Sequence, residues 1–113
     1  TDLTIEMQPR QYRICNDRPA RPVWMDEIHP REAYKARTLM EVYELRSWQA
    51  IVASENCGCD VRFPSWDAAA NEYEANYADL SQADHTQTRR ALRNEQNQIA
   101  QTVQVICEDQ GNW

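Results

Sequence analysis

The chain has 113 residues, 42% of them hydrophobic and 27% charged, with a formal net charge of −6. That composition suits one folded domain with a modest core and excludes wholesale disorder. The acidic balance disfavours nucleic acid as a partner, because such binders carry a net basic footprint. The apolar runs fall far short of the ~20 residues that cross a bilayer.

Only two glycines are present, Gly58 and Gly111. Hairpin turns and phosphate-cradling loops draw on glycine, so its scarcity favours helices. The expected fold is all-α: a three-helix up-down-up bundle over residues 30–113, a single folding unit, preceded by a proline-punctuated arm over residues 1–29.

Pro9, Pro19, Pro22 and Pro30 punctuate the arm, and each biases its predecessor away from helix. Leu3-Thr4-Ile5-Glu6-Met7 alternates and predicts a short extended piece. Asn16 to Pro22 predicts turn and polyproline-like chain. Through Trp24 the arm holds Arg10, Arg13, Arg18 and Arg21 against Asp2, Glu6 and Asp17. It is therefore expected to adhere electrostatically to the acidic helical body, with Cys15 as its anchor.

The first long helix is predicted from Pro30 to Ala53, with proline at a first-turn position where its missing N–H is no loss. Ala33, Ala36, Met40, Tyr43, Ser47, Ala50 and Ile51 form one apolar face at helical spacing. Tyr34, Leu45, Trp48 and Val52 form a second stripe, so the helix should be contacted on two sides. After Cys57-Gly58-Cys59, Val61-Arg62-Phe63 predicts a short extended piece. Ser65 is a good N-cap for a second helix, in which Trp66, Ala69, Ala70, Tyr73 and Tyr77 follow an amphipathic pattern. A third helix is predicted from Asp84, as N-cap, to Cys107, with Leu92, Ile99, Val103 and Ile106 as a narrow seam and the polar run from Arg89 to Gln98 solvated.

Four cysteines in a short chain point to two disulfides and an oxidising compartment. The chain opens Thr1-Asp2-Leu3 without methionine, as a mature product of signal-peptide removal does, so the expected location is periplasmic or secreted. In an up-down-up bundle Cys107 ends the third helix beside Cys57 and Cys59, and the arm can carry Cys15 back over up to ~50 Å to the same end. Cys57–Cys59 would close a small strained ring. The two interleaved pairings, Cys15–Cys57 with Cys59–Cys107 and Cys15–Cys59 with Cys57–Cys107, are both sound as structure and stay open.

The chemical readings are thin. A Cys57–Cys59 pair would support thiol–disulfide exchange, but it follows a helix, with Glu55 and Asp60 disfavouring a thiolate, whereas exchange sites sit at helix N-termini. Zinc sites use paired cysteine knuckles, and Cys15 and Cys107 each stand alone. His29 and His85 are expected at the surface. No hydrolase motif is present, and no cofactor or metal is implied. The aromatics Trp24, Tyr34, Trp48 and Trp113 are candidate interface anchors for another protein.

At Arg46-Ser47-Trp48-Gln49, Cys57-Gly58-Cys59, Phe63-Pro64-Ser65-Trp66-Asp67, Ile106-Cys107-Glu108 and the terminal Gly111-Asn112-Trp113, the chain resembles small exported proteins encoded in bacterial conjugative or integrating elements. The resemblance covers residues 46–113 and implies an envelope accessory of a transfer apparatus, with no catalytic residue to carry over. The expected function is protein–protein binding. The alternatives are disulfide exchange through Cys57 and Cys59, and an inhibitor or immunity-type binder.

Overall fold

A run of 28 residues without glycine or proline forms the longest element of the computed structural model, which describes residues 15–113. In chain order the helices are α1 (Trp24–Glu27), α2 (Ala33–Ser54, entered through a 3-10 turn at Pro30–Glu32), α3 (Cys59–Arg62), α4 (Asp67–Asn76) and α5 (Gln82–Asp109). No strand occurs among the described residues. The expected extended piece Leu3–Met7, and Arg10 and Arg13, lie outside them.

The helix ends follow local chemistry. His29 Nδ1 accepts from the Arg31 N–H at 3.1 Å and opens the 3-10 turn at Pro30. Ser81 Oγ accepts from the Asp84 N–H at 3.1 Å, so serine takes the cap role expected of Asp84. At the other end α5 runs two residues past Cys107 and stops in a Schellman motif. There the Asn112 N–H reaches the Cys107 carbonyl at 2.8 Å and the Gly111 N–H the Glu108 carbonyl at 3.1 Å. The motif needs a left-handed residue, and Gly111 supplies it at φ +71°.

α2 and α5 lie side by side with their residue numbers rising together. Thr38 meets His85, Glu41 meets Arg93, Glu44 meets Gln96, and Cys57 is bonded to Cys107. On α5 the inward positions His85, Arg89, Leu92, Gln96, Ile99, Val103 and Ile106 repeat at alternating spacings of four and three. This is the coiled-coil period, which keeps one seam facing the partner helix. The expected seam was therefore too narrow, because its polar members did not read as buried. The core falls into two clusters. One gathers Met25, Leu39, Val42, Leu45, Ala69, Tyr73 and Leu92, and the other Ile51, Cys57, Val103 and Cys107, with Ile99 touching both.

Several expectations change. Val61-Arg62-Phe63 is not extended, because no strand is there to pair with it. Its N–H groups instead turn back onto Gly58 and Cys59 carbonyls at 2.8–3.0 Å. Polar groups of α2 hold that turn, with Ser47 Oγ donating to the Arg62 carbonyl at 2.7 Å and the Tyr43 hydroxyl to the Pro64 carbonyl at 2.8 Å. Met40 is 46% exposed and not core, and Ala50 is exposed as well.

The described part of the arm is not tied down by ion pairs. Cys15 is bonded to Cys59, Met25 is buried in the core, Trp24 stacks on Tyr73 with ring centroids 5.8 Å apart, and the Arg18 guanidinium sits 3.9 Å over the Phe63 ring. Arg21 pairs with Asp26 within the arm itself. Among the described residues no arm arginine forms an ion pair with the helical body.

Candidate functional site

All four cysteines converge on one end of the α2–α5 pair. The bonds are Cys15–Cys59 and Cys57–Cys107, with Cα–Cα distances of 5.4 and 5.1 Å. The Cys57–Cys59 ring is not formed. Each cysteine is bonded to a distant partner, and among the described residues no free thiol is present.

The turn between α2 and α3 separates the two neighbours. Glu55 ends α2 in the left-handed conformation at φ +54°. Asn56 Oδ1 then accepts from the Gly58 N–H at 2.7 Å. A Cβ at 58 would lie 3.1 Å from both Asn56 Oδ1 and Asp60 Oδ1, so a larger residue would require those side chains to give way. Cys57 enters the core beside Val103, while Cys59 stays half-exposed and faces the arm.

The C-terminal tail latches this end. The Cys57 N–H donates to Gln110 Oε1 at 2.6 Å, Gln110 Nε2 donates to the Glu55 carbonyl at 3.0 Å, and Asn112 Nδ2 donates to the Cys57 carbonyl at 2.7 Å. Arg62 donates to the Asn112 carbonyl. Its guanidinium also lies 4.9 Å from the Trp113 ring centroid, and Trp48 packs against Trp113 at 6.0 Å. Trp113 is thus held in place yet remains 47% exposed.

The opposite end is organised around a buried histidine. His85 was expected at the surface, but it is fully buried, with Nδ1 2.8 Å from the Thr38 hydroxyl and its ring edge-on to Tyr34 at 4.9 Å. Nε2 is the one buried side-chain polar atom among the described residues that makes no hydrogen bond. Arg89 Nη1 donates to the Tyr34 carbonyl at 3.2 Å and to Thr38 Oγ1 at 3.4 Å. Burial holds the His85 pKa below its ordinary value. Arg89 and Lys35 push the same way, against a weaker pull from the Tyr77 backbone and Asp84. Burial thus disfavours the charged form of the imidazole.

The four aromatic candidates do not form one surface. Trp24 and Tyr34 are half-buried at the histidine end, and Trp48 and Trp113 sit at the bridged end. Tyr34 and Trp48 are 14 residues apart on one helix, or ~21 Å. Only Trp113 among them is freely exposed. Arg62, Gln110 and Asn112 were not singled out from sequence. Their roles depend on a tail that folds back across some fifty residues of chain, and no local pattern announces that. His85 and Arg89 did carry a signal, the four–three spacing that continues from Leu92.

One buried and one partly exposed bridge, a latched tail and paired long helices define a cross-linked helical domain. Among the described residues no group of three or more histidine, cysteine or acidic side chains is arranged to hold a metal, and no helix is long and apolar enough to cross a membrane. Comparison with protein families, curated proteins and solved structures finds no match to the chain.

Proposed function

We propose that the protein is an exported, disulfide-stapled helical domain that acts by binding another protein, with Trp113 as the anchor of the contact. The observation that carries this reading is the setting of Trp113: a large aromatic ring, 47% exposed, backed by Trp48 and Arg62 at the doubly bridged end. Tryptophan and arginine dominate the energetics of protein interfaces, and a ring already ordered loses little conformational freedom on binding. The two disulfides support an oxidising location, periplasmic or secreted. The resemblance of residues 46–113 to exported proteins of conjugative elements makes an accessory of a transfer apparatus the preferred setting.

We read the topology as the up-down-up bundle, with α4 returning between two rising helices. Trp66 stacks on Tyr43 at 3.7 Å, and one further stretch along α4 Tyr73 lies 6.1 Å from His85 at the opposite end, which supports that direction.

Site-specific cross-linking tests the function. A photoreactive phenylalanine analogue at position 113 should capture one polypeptide of the cell envelope, and the same group at the exposed Gln87 should not. Trp113→Ala should weaken that complex by roughly tenfold or more, the scale of an interface hot spot, with the helical circular dichroism unchanged. Equal capture from both positions, or an unaltered affinity, would overturn the reading.

A further inference from the structure

Four arginines share one open groove of about 550 Å³ between α2 and α5 at the histidine end: Arg37, Arg89, Arg90 and Arg93, with Met40 and Glu41 beside them. On a chain of formal charge −6 this is a concentrated reversal of sign. The cations are not neutralised from within. Glu41 is the one carboxylate lining the groove, and Arg93 takes it. The Arg89 bonds go to an uncharged carbonyl and an uncharged hydroxyl. Arg37 and Arg90 form no ion pair among the described residues. Burial disfavours the Arg89 cation first and the like charge on Arg37 next, and Glu41 offsets them only in part. Holding like charges together is unfavourable, and an anion in the groove relieves it.

We propose that this groove binds an acidic segment of the partner protein, with carboxylates on Arg37, Arg89 and Arg90 and an apolar side chain on Met40. The proposal rests on the protein-binding reading above. Guanidinium matches carboxylate in a two-pronged fork, which gives orientation as well as attraction. Met40, 46% exposed among the arginines, offers an apolar contact that a bare anion would not use. A nucleic acid suits the groove less well. Its phosphates continue beyond the arginines along a chain of net charge −6, which repels them within a Debye length of ~8–10 Å. A peptide with a few acidic residues ends where the arginines end. Met40 and Arg37 lie 8 and 11 residues before Trp48 on α2, ~12–17 Å along the helix, and Trp48 is the residue that packs on Trp113, so the two contacts can be tested apart.

The probe is a labelled twelve-residue peptide alternating glutamate and leucine, with a glutamine–leucine peptide as control, titrated with the full chain by fluorescence anisotropy. The glutamate peptide should bind about tenfold or more tightly than the control, and the difference should shrink in ~0.5 M salt. Arg37→Gln with Arg90→Gln should weaken it by about tenfold or more. Both side chains are exposed, so the helical circular dichroism should not change. Equal binding of the two peptides, or unaltered affinity in the double variant, overturns the groove. A single-stranded oligonucleotide of equal charge that binds more tightly through the same arginines overturns the choice of partner. If the peptide fails while cross-linking at position 113 succeeds, the groove falls and the protein-binding reading stands. If the peptide binds and the cross-link fails, Trp113 loses its role and the groove keeps its own.

Discussion

The two ends of the α2–α5 pair solve the same problem with different chemistry. At the bridged end the buried polar groups are matched, since Gln110 and Asn112 close onto the Glu55 and Cys57 backbone and both sulfurs of Cys57–Cys107 are buried in apolar surroundings. At the histidine end polar side chains occupy the seam itself, and His85 Nε2 is left over. A covalent link holds its helices whatever the protonation state. A buried imidazole is sensitive to pH, because charging it away from water and beside Arg89 is costly. One end should therefore respond to redox conditions and the other to pH.

The largest effect should come from the bridges. Replacing Cys57 and Cys107 with serine opens a loop of 50 residues of separation and leaves two hydroxyls in a dry cluster. Unfolding free energy should fall by about 2–5 kcal/mol in urea titrations. A loss below about 1 kcal/mol would break the comparison. The bridges should also differ from each other. Cys59 is half-exposed, whereas Cys57 and Cys107 are only 1% and 0% exposed. Exchange requires a thiolate to reach a sulfur, so limited reductant followed by alkylation and peptide mapping should find Cys15 and Cys59 labelled first. The reverse order would contradict the assigned burial.

A smaller effect should separate the histidine end. The folded His85 pKa lies below the ordinary 6.5, so the unfolded chain takes up a proton over a range where the folded chain does not. Stability then rises with pH in that window. It is fully present above about pH 6.5 and is lost as pH falls toward the depressed folded value. His85→Gln, which does not titrate, should flatten the difference between urea midpoints measured near neutral and mildly acidic pH. A wild-type midpoint that ignores pH across this window would remove the distinction between the ends.

The smallest change returns to the latch. Gly111 stands at φ +71° with nothing within 4 Å of a would-be side chain. Gly111→Ala therefore tests backbone conformation alone and should cost about 1 kcal/mol. A neutral result in thermal denaturation would mean that the tail is not held in the Schellman turn.

Much of this was legible in the residues. The long helices, the N-terminal proline turn, the amphipathic Trp66–Tyr77 stretch and the convergence of four cysteines follow from periodicity, capping chemistry and helix length. The inward polar positions of α5 escape an apolar pattern, because His85, Arg89 and Gln96 have no apolar signature. His85 and Gln96 are buried, and Arg89 half-buried, because Thr38, Glu44 and Tyr34 present partners from another helix. Val61-Arg62-Phe63 has strand-like residues, but strands need a neighbour, and the nearest available hydrogen-bond acceptors were its own preceding carbonyls.

By itself the sequence determined that the chain is helical and closed by two bridges, because those outcomes rest on local spacing and an even cysteine count. It did not determine which cysteine takes which partner. Cys57 and Cys59 are separated by one glycine and have interchangeable chemistry. The choice comes from the left-handed Glu55 and the helical turn after Gly58, which put Cys57 beside Cys107 and Cys59 beside Cys15. The arginine groove was likewise out of reach. Arg37 is more than 50 residues from Arg89, Arg90 and Arg93, and only the parallel packing of α2 on α5 gathers their charges into one place.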